Sequence, residues 1–196
     1  MNRFDILIKR IFDVCLSFFG VLITFPIIIS CWVVASVETK SNGFFFHERI
    51  GLNGRHFKIY KIKTMHNNDQ KNTITSSNDE RLTFSGKIFR KFKLDELPQL
   101  INILFGHMSF VGPRPDVKKY YDMTTDEHKI IYSIRPGLTG PASLKYKDEE
   151  FLLSKVNDPL SYNDDIIWPD KVTENIKYIK EYNFFKDIYY IIKTIF

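Results

Sequence analysis

The strongest pattern in the chain is an uninterrupted apolar run near its beginning. Val14–Val37 contains no Asp, Glu, Lys or Arg over 24 residues, which is long enough for a helix to reach across a bilayer core of about 30 Å. Lys9 and Arg10 precede the run, and Lys40 follows it. A cleaved signal peptide fits poorly, because its apolar region is shorter and a small-residue cleavage site follows it. The pattern therefore predicts a membrane-embedded helix.

Pro26 lies near the middle of this run and leaves two interpretations open. A proline removes one backbone donor and clashes with the preceding turn, so we expect the helix to kink or break there. In one interpretation the helix still crosses the membrane, and in the other it bends and returns to the side from which it entered. Basic residues on both flanks favour cytoplasmic positions for both ends. Thr24 or neighbouring protein could satisfy the backbone groups that a bend frees.

Shorter apolar runs follow the membrane segment. Phe44–Phe46 and Phe57–Ile62 are predicted to be strands, and the Gly-Leu-Asn-Gly sequence of Gly51–Gly54 predicts a turn between them. The polar segment 67–79, rich in Asn, Ser and Thr, is expected to be a surface loop. A lid over a nearby site is the alternative for such a loop, and a plain solvated loop is the more common case.

The segment Gly86–Lys93 mixes cations with bulky apolar side chains. This combination favours a helix lying on an anionic membrane surface over an ordinary amphipathic helix packed on the core. The cations are Lys87, Arg90, Lys91 and Lys93, and the apolar residues are Ile88, Phe89 and Phe92.

Apolar residues recur at helical spacing through Leu94–Leu104. Pro98 is favourable only in the first turn of a helix, so we expect the helix to begin near Asp95, with Asp95 as its N-cap. The adjacent Asp95 and Glu96 then have two interpretations. Acidic residues at a helix start are usually caps, but the same end of a helix also stabilises a catalytic carboxylate or a bound phosphate.

Two arginines stand beside prolines. Arg114 lies between Pro113 and Pro115, and Arg135 precedes a Pro-Gly turn in the sequence Arg-Pro-Gly-Leu-Thr-Gly. A guanidinium on a stiffened backbone is suited to binding phosphate oxygens. The alternative is a loop arginine in solvent, and neither segment is a Walker loop.

The last part of the chain, from Tyr178 to Phe196, has an amphipathic pattern and is too charged to cross a membrane. We expect it to pack on the domain or to lie at the membrane interface. The net charge of +5 indicates anionic partners. The fold class predicted is α/β, helix-rich with a small sheet, with a membrane anchor over residues 1–40 and a catalytic domain over residues 41–196.

Taken together, these segments resemble the bacterial sugar transferases of the monotopic phosphoglycosyl transferase type. The resemblance covers nearly the whole chain, and its specificity comes from six motifs in order rather than from any one of them. The motifs are KRIFD (Lys9–Asp13), FKIYKIKTM (Phe57–Met65), LDELPQLINIL (Leu94–Leu104), MSFVGPRP (Met108–Pro115), RPGLTG (Arg135–Gly140) and the terminal segment Tyr178–Asp187.

The resemblance implies a reaction and a location. Asp95 is implied to be the nucleophile that takes a phospho-sugar from a UDP-sugar, releasing UMP, before a polyprenyl phosphate accepts it. Glu96 is implied to hold Mg²⁺ or to assist the second step. The membrane helix is implied to be re-entrant at Pro26, on the cytoplasmic face of the bacterial inner membrane, and a homodimer is an expected assembly. The cations available in the matched motifs are Lys61, Lys63, Arg114 and Arg135.

Other functions are less consistent with these residues. An inactive membrane scaffold of glycan assembly is the main alternative, but it leaves the intact Asp95 and Glu96 unexplained. Nucleic acid is not an expected partner, because no recognised binding module accompanies the basic residues. The sequence departs from the family pattern at four positions, where other residues are common: Phe25, His107, Pro141 and Asn175.

Overall fold

The computed structural model of the chain describes residues 2–66 and 81–195, so the predicted polar loop 67–79 lies outside the described residues. The helix-rich α/β architecture with little sheet is confirmed. The described strands are β1 (Phe44–Ile50), β2 (His56–Ile62), β3 (Ser109–Val111) and β4 (Gly137–Thr139). The described α-helices are α1 (Arg3–Thr39), α2 (Phe84–Lys91), α3 (Gln99–Leu104), α4 (Lys118–Met123), α5 (Pro141–Lys145), α6 (Glu149–Leu153), α7 (Pro159–Tyr162), α8 (Trp168–Lys180) and α9 (Phe184–Ile195).

Strands β1 and β2 form an antiparallel hairpin whose register pairs Phe44 with Ile62 and Ile50 with His56. The turn between them uses left-handed backbone at Asn53 (φ 55°) and Gly54 (φ 74°), a conformation that Gly and Asn adopt at little cost. The two predicted strands and their turn are therefore confirmed, and β1 is four residues longer than the apolar run that predicted it.

A second small sheet joins the two arginine motifs. Strands β3 and β4 run parallel, with Ser109 opposite Gly137 and Val111 opposite Thr139. The backbones come so close that a Cβ atom on Gly137 would lie 2.1 Å from the Gly112 nitrogen. Glycine is therefore required at this contact, and the two motifs form one rigid unit.

Helix α1 continues through Pro26 from Arg3 to Thr39. Of the two expected outcomes at Pro26, a break in the helix is therefore wrong, while a bend stays a prediction. One missing hydrogen bond does not end a helix that neighbouring turns and tertiary contacts hold on both sides. The Thr24 hydroxyl donates to the Gly20 carbonyl at 2.7 Å, so it does not satisfy the Leu22 carbonyl that Pro26 leaves without its helical donor.

Both ends of α1 are bonded to the same globular body. Near its start, Arg10 donates to the Ile103 and Leu104 carbonyls at the end of α3 (2.7 and 2.8 Å). Asp13 accepts from the Phe110 backbone (3.1 Å). Near its end, Glu38 accepts from Ser85 at the start of α2. The helix therefore lies along the body, although it is long and apolar enough by length and composition to cross a membrane.

Helix α2 packs on the core with one side and exposes apolar side chains on the other, so it has features of both structures considered for its sequence. Thr83 caps it by accepting from the Gly86 backbone at 2.9 Å. Phe89 is buried in a cluster with Cys31 and Ala35 of α1. On the other side its apolar side chains are exposed, namely Phe84, Ile88 and Phe92. The predicted helix is confirmed, and its contact with a membrane stays a prediction.

The C-terminal helices α8 and α9 are also packed against the rest of the protein along part of their surfaces. Tyr178 and Ile179 lie in the main core cluster with Val111 and Ile131. In α9, Asp187 is buried, whereas one face of the helix is exposed and apolar. That exposed face consists of Phe185, Tyr189, Ile192 and Ile195.

Candidate active site

Asp95 and Glu96 lie in a tight turn between two helices. The chain leaves α2 through Lys93, whose backbone is left-handed (φ 56°), and forms a 3₁₀ turn over Leu94–Glu96 before α3 begins at Gln99. The prediction that the helix begins near Asp95, with Asp95 as its N-cap, is therefore wrong. Pro98 occupies the position just before the helix, as its fixed φ allows. Asp95 and Glu96 precede the helix, and neither side chain caps it.

A buried asparagine, Asn102, fixes this turn against the hairpin. The Tyr60 backbone donates to Asn102 Oδ1 at 3.0 Å, and Asn102 Nδ2 donates to the Lys58 carbonyl at 2.8 Å. Because both bonds satisfy the backbone of β2, α3 cannot slide along the strand without losing them. Asn102 was not predicted, and its signal in the sequence is a polar residue between the apolar Ile101 and Ile103.

Glu96 is held between two cations. Lys61 Nζ and Arg114 Nη2 both donate to Glu96 Oε1, each at 2.8 Å, and the Glu96 side chain is only 13% exposed. Burial alone opposes ionisation, but Arg114 and Lys61 outweigh it and hold the pKa of Glu96 well below its usual range. Glu96 is therefore a fixed anion in a fixed position.

Asp95 has the opposite surroundings. It is 7% exposed, and its Oδ1 atom has no hydrogen-bond partner among the described residues. Burial raises the pKa of Asp95, and the charge of Glu96 adds to this, while Lys61 opposes it. A desolvated carboxylate oxygen without a donor is more basic and more nucleophilic than a hydrogen-bonded one. The same oxygen is also available to a metal ion.

Arg114 approaches the pair from a braced loop. The Gly137 backbone donates to the Pro113 carbonyl at 2.8 Å, and the Ile50 backbone donates to the Asp116 carbonyl at 2.9 Å. The loop is thus tied to both small sheets. The Arg114 side chain remains 52% exposed, and its contact with Glu96 raises its pKa. Its guanidinium can therefore bind Glu96 and a ligand at the same time.

The other two predicted cations have different contacts. Lys63 donates to Ser41 Oγ at 2.7 Å, beside the end of α1. Arg135 Nε donates to the Gly106 carbonyl at 2.8 Å, close to Arg10, which caps the same end of α3. The structure thus brings Lys61 and Arg114 to the acidic pair, whereas Arg135 braces the helix behind it.

Arg49 was missed by the sequence analysis, because the apolar run that predicted β1 ended before it. Its Nη1 donates to the Pro115 carbonyl (3.4 Å), its Nη2 lies 3.1 Å from His47 Nδ1, and its Nε is buried with no partner among the described residues. Burial, followed by the charge of Arg114, lowers the pKa of Arg49 to about 10. It is a partly buried cation that contacts the loop carrying Arg114.

The donor set fits Mg²⁺ better than a metal that needs a full protein cage. In the described part of the chain, no group of three or more His, Cys, Asp or Glu side chains gathers to hold a metal. Mg²⁺ typically uses one or two carboxylates and takes its remaining ligands from water and substrate phosphates. Glu96, which its cationic neighbours keep ionised, meets that requirement.

The four departures from the family pattern lie away from this pair. His107 stacks on Phe57, with ring centroids 6.0 Å apart. Pro141 occupies the first turn of α5, and Phe25 is exposed on α1. Asn175 is buried in α8, where its Oδ1 has no partner among the described residues.

Comparison with known proteins identifies the family. The family model described as bacterial sugar transferase matches residues 4–196, and the chain belongs to this family. It is 30% identical to the uncharacterized sugar transferase EpsL of Bacillus subtilis, with 96% of this chain and 86% of that protein covered.

Two further relatives carry reaction names. The UDP-glucose:undecaprenyl-phosphate glucose-1-phosphate transferase of Escherichia coli is 31% identical over 97% of this chain and 40% of its own length. The undecaprenyl-phosphate galactose phosphotransferase of Salmonella typhimurium is 30% identical over 95% of this chain and 39% of its own length. The chain thus spans about two-fifths of these longer relatives.

Proposed function

We propose that this protein transfers a sugar 1-phosphate from a UDP-sugar to a polyprenyl phosphate, such as undecaprenyl phosphate, and releases UMP. The observation that carries the proposal is the contrast within the acidic pair. Asp95 is buried with an unpartnered oxygen, while Glu96 beside it is held by Lys61 and Arg114. The names of the two relatives support the same reaction: both specify undecaprenyl phosphate, and that of the Escherichia coli protein also specifies UDP-glucose.

The first step joins Asp95 to the phospho-sugar. An oxygen of the Asp95 carboxylate attacks the β-phosphorus of the donor, and the bond from that phosphorus to the bridging oxygen breaks. UMP leaves with the bridging oxygen and its electron pair. The unpartnered position of Asp95 Oδ1 supports this role, since no donor has to be displaced before it attacks.

The second step restores the enzyme. A phosphate oxygen of the polyprenyl phosphate attacks the same phosphorus, and the bond to the Asp95 oxygen breaks. The products are the polyprenyl diphosphate sugar and the free carboxylate. Lys61 and Arg114 keep cationic groups beside the phosphorus in both steps, which offsets the repulsion between anions.

Glu96 would hold Mg²⁺, which would supply positive charge that draws phosphate oxygens toward the acidic pair. Glu96 suits this role because Lys61 and Arg114 keep it ionised.

The location proposed is the cytoplasmic face of the inner membrane, with α1 entering one leaflet without crossing it. Support comes from the contacts of α1, because both its Arg10 and its Glu38 bind the same body. The α1 side chains turned away from that body are exposed and apolar, including Phe19, Ile23 and Phe25. A lipid substrate keeps its phosphate at headgroup depth, so an interfacial α2 would place the neighbouring Asp95 at that depth.

The test measures UMP release by the purified full chain in detergent with Mg²⁺, undecaprenyl phosphate and a panel of UDP-sugars. Wild type should release UMP from at least one donor, and Asp95→Asn should not. Asp126→Asn, at an exposed aspartate, is the matched control and should retain activity. With donor alone, the intact mass of the wild type should increase by one phospho-sugar. Absence of UMP from every donor, with folded protein, would reject the proposal and favour an inactive scaffold.

A further inference from the structure

One face of the β1–β2 hairpin carries a row of basic groups. Residues opposite each other in an antiparallel pair project to the same face, and Phe45 pairs with Lys61, His47 with Ile59, and Arg49 with Phe57. Lys61, His47 and Arg49 therefore share one face. At the other end of the row, Arg49 donates to the Pro115 carbonyl at 3.4 Å, next to Arg114, which binds the same Glu96 oxygen as Lys61.

The far end of this row borders a cavity. It measures about 430 Å³ and is lined by both strands of the hairpin and by the segment Val117–Lys119, next to the loop that carries Arg114. Among its lining residues are Arg49, His47, Glu48 and His56. Its volume lies within the range of small-molecule sites, about 300–1,000 Å³.

Arg49 differs in its contacts from the other basic residues around the cavity. Lys118 pairs with Asp122, Lys119 pairs with Asp164, and His56 contacts Glu48. Arg49 instead contacts a carbonyl and an imidazole, and its buried Nε has no partner among the described residues. A desolvated guanidinium with a vacant donor is stabilised strongly by an anionic oxygen, and phosphate fits its geometry.

We propose that this cavity binds the nucleoside end of the donor and that Arg49 binds the phosphate nearer to the nucleoside. This inference rests on the proposed function and assigns the donor's direction across the hairpin. The β-phosphate lies at Asp95, between Lys61 and Arg114, and the neighbouring α-phosphate lies toward Arg49, which contacts the Arg114 loop. The ligand class is a nucleoside diphosphate.

The main competing explanation is that Arg49 only braces the Arg114 loop through the Pro115 carbonyl. Such a brace would act on catalysis and stability but would not contact the nucleotide. Binding and turnover therefore have to be measured separately. Arg55, exposed in the turn of the same hairpin, offers a matched arginine control.

The experiment titrates UDP and UMP into the full chain in detergent by calorimetry, in an Asp95→Asn background that cannot form the adduct. Arg49→Gln should weaken UDP binding at least tenfold, and Arg55→Gln should leave it unchanged. Arg49→Lys, which retains the charge, should fall between Arg49→Gln and wild type. With Asp95 intact, Arg49→Gln should raise the KM for the donor much more than it lowers kcat.

The outcomes separate the two proposals. If Arg49→Gln and Arg49→Lys both bind UDP as the parent does while kcat or the unfolding temperature falls, Arg49 is only a brace and this inference is overturned. If Arg49→Gln does not fold, the Arg49→Lys comparison decides on the same criterion. If wild type binds UDP through Arg49 but releases no UMP from any donor, the proposed function fails and the nucleotide site stands.

Discussion

Asp95 and Asp187 are both buried aspartates, but the protein surrounds them in opposite ways. Asp187, 1% exposed in α9, is bonded by Lys9 and accepts from the Tyr178 hydroxyl (2.6 Å) and the Tyr182 hydroxyl (3.3 Å). Asp95 has a buried oxygen with no partner in the described residues. The first carboxylate ties α1 to the C-terminal helices, and the second is left available for chemistry.

The comparison shows that burial alone does not mark a functional carboxylate. A buried charge with all its partners is a structural element, because the surrounding donors compensate for lost hydration. A buried carboxylate with a vacant oxygen costs stability and persists where that oxygen is used. Substitutions of Asp95 and Asp187 test this interpretation directly, because the first should affect activity and the second should affect stability.

The largest effect is expected for Asp95→Asn. Transfer should fall by on the order of 10³-fold or more, since an amide cannot replace the nucleophile. Burial raises the pKa of Asp95 above its unfolded value, so its ionised form costs stability at pH above the folded pKa. The unfolding temperature of the variant at pH 8 should therefore equal or exceed that of wild type. A lower unfolding temperature would show that Asp95 is structural.

The second effect is expected for Asp187→Asn, which removes the carboxylate that is paired with the buried Lys9. Breaking a buried pair on one side costs about 3–5 kcal/mol, measurable by denaturant unfolding in detergent. UMP release per folded molecule should stay within about threefold of wild type. Adding Lys9→Met should recover part of the lost stability, and a double variant less stable than the single one would contradict this account.

Arg114 and Arg135 provide a smaller contrast of the same kind. Arg114→Gln removes a cation that contacts Glu96 from a half-exposed position, so we expect transfer to fall about 10- to 100-fold with little change in unfolding. Arg135→Gln removes a donor to the Gly106 carbonyl and should cost about 1–2 kcal/mol of stability with a smaller effect on transfer. Equal kinetic effects of the two substitutions would refute the distinction.

The smallest effect concerns pH. The reaction needs ionised Asp95, so kcat/KM should rise as pH increases through its pKa. Lys61 lowers that pKa, and Lys61→Met should move the acid limb of the pH profile upward by on the order of one pH unit. Lys58→Met, on the opposite face of β2, should leave the limb in place. An unmoved limb in Lys61→Met would place the titrating group elsewhere.

Much of the fold could be predicted from local patterns. The apolar run of α1, the hairpin with its Gly-Leu-Asn-Gly turn and the amphipathic α2 all follow from spacing of a few residues. The start of α3 was mispredicted because Asp95 and Glu96 satisfy the rules for a helix start, while the left-handed Lys93 and the position of Pro98 favour a separate turn. Propensity alone does not distinguish these two outcomes.

The sequence by itself determined the apolar helix, the acidic pair and the presence of arginines on stiffened turns, because these are properties of adjacent residues. Only the tertiary structure decided that Lys61 and Arg114 converge on Glu96, that Arg135 donates to Gly106 instead, and that Arg49 contacts the Arg114 loop. Such contacts depend on how β2, α3 and the Arg114 loop pack, and that packing is fixed by distant residues such as Asn102. The local sequence gives the type of a side chain, but it does not give the distant groups that the side chain contacts.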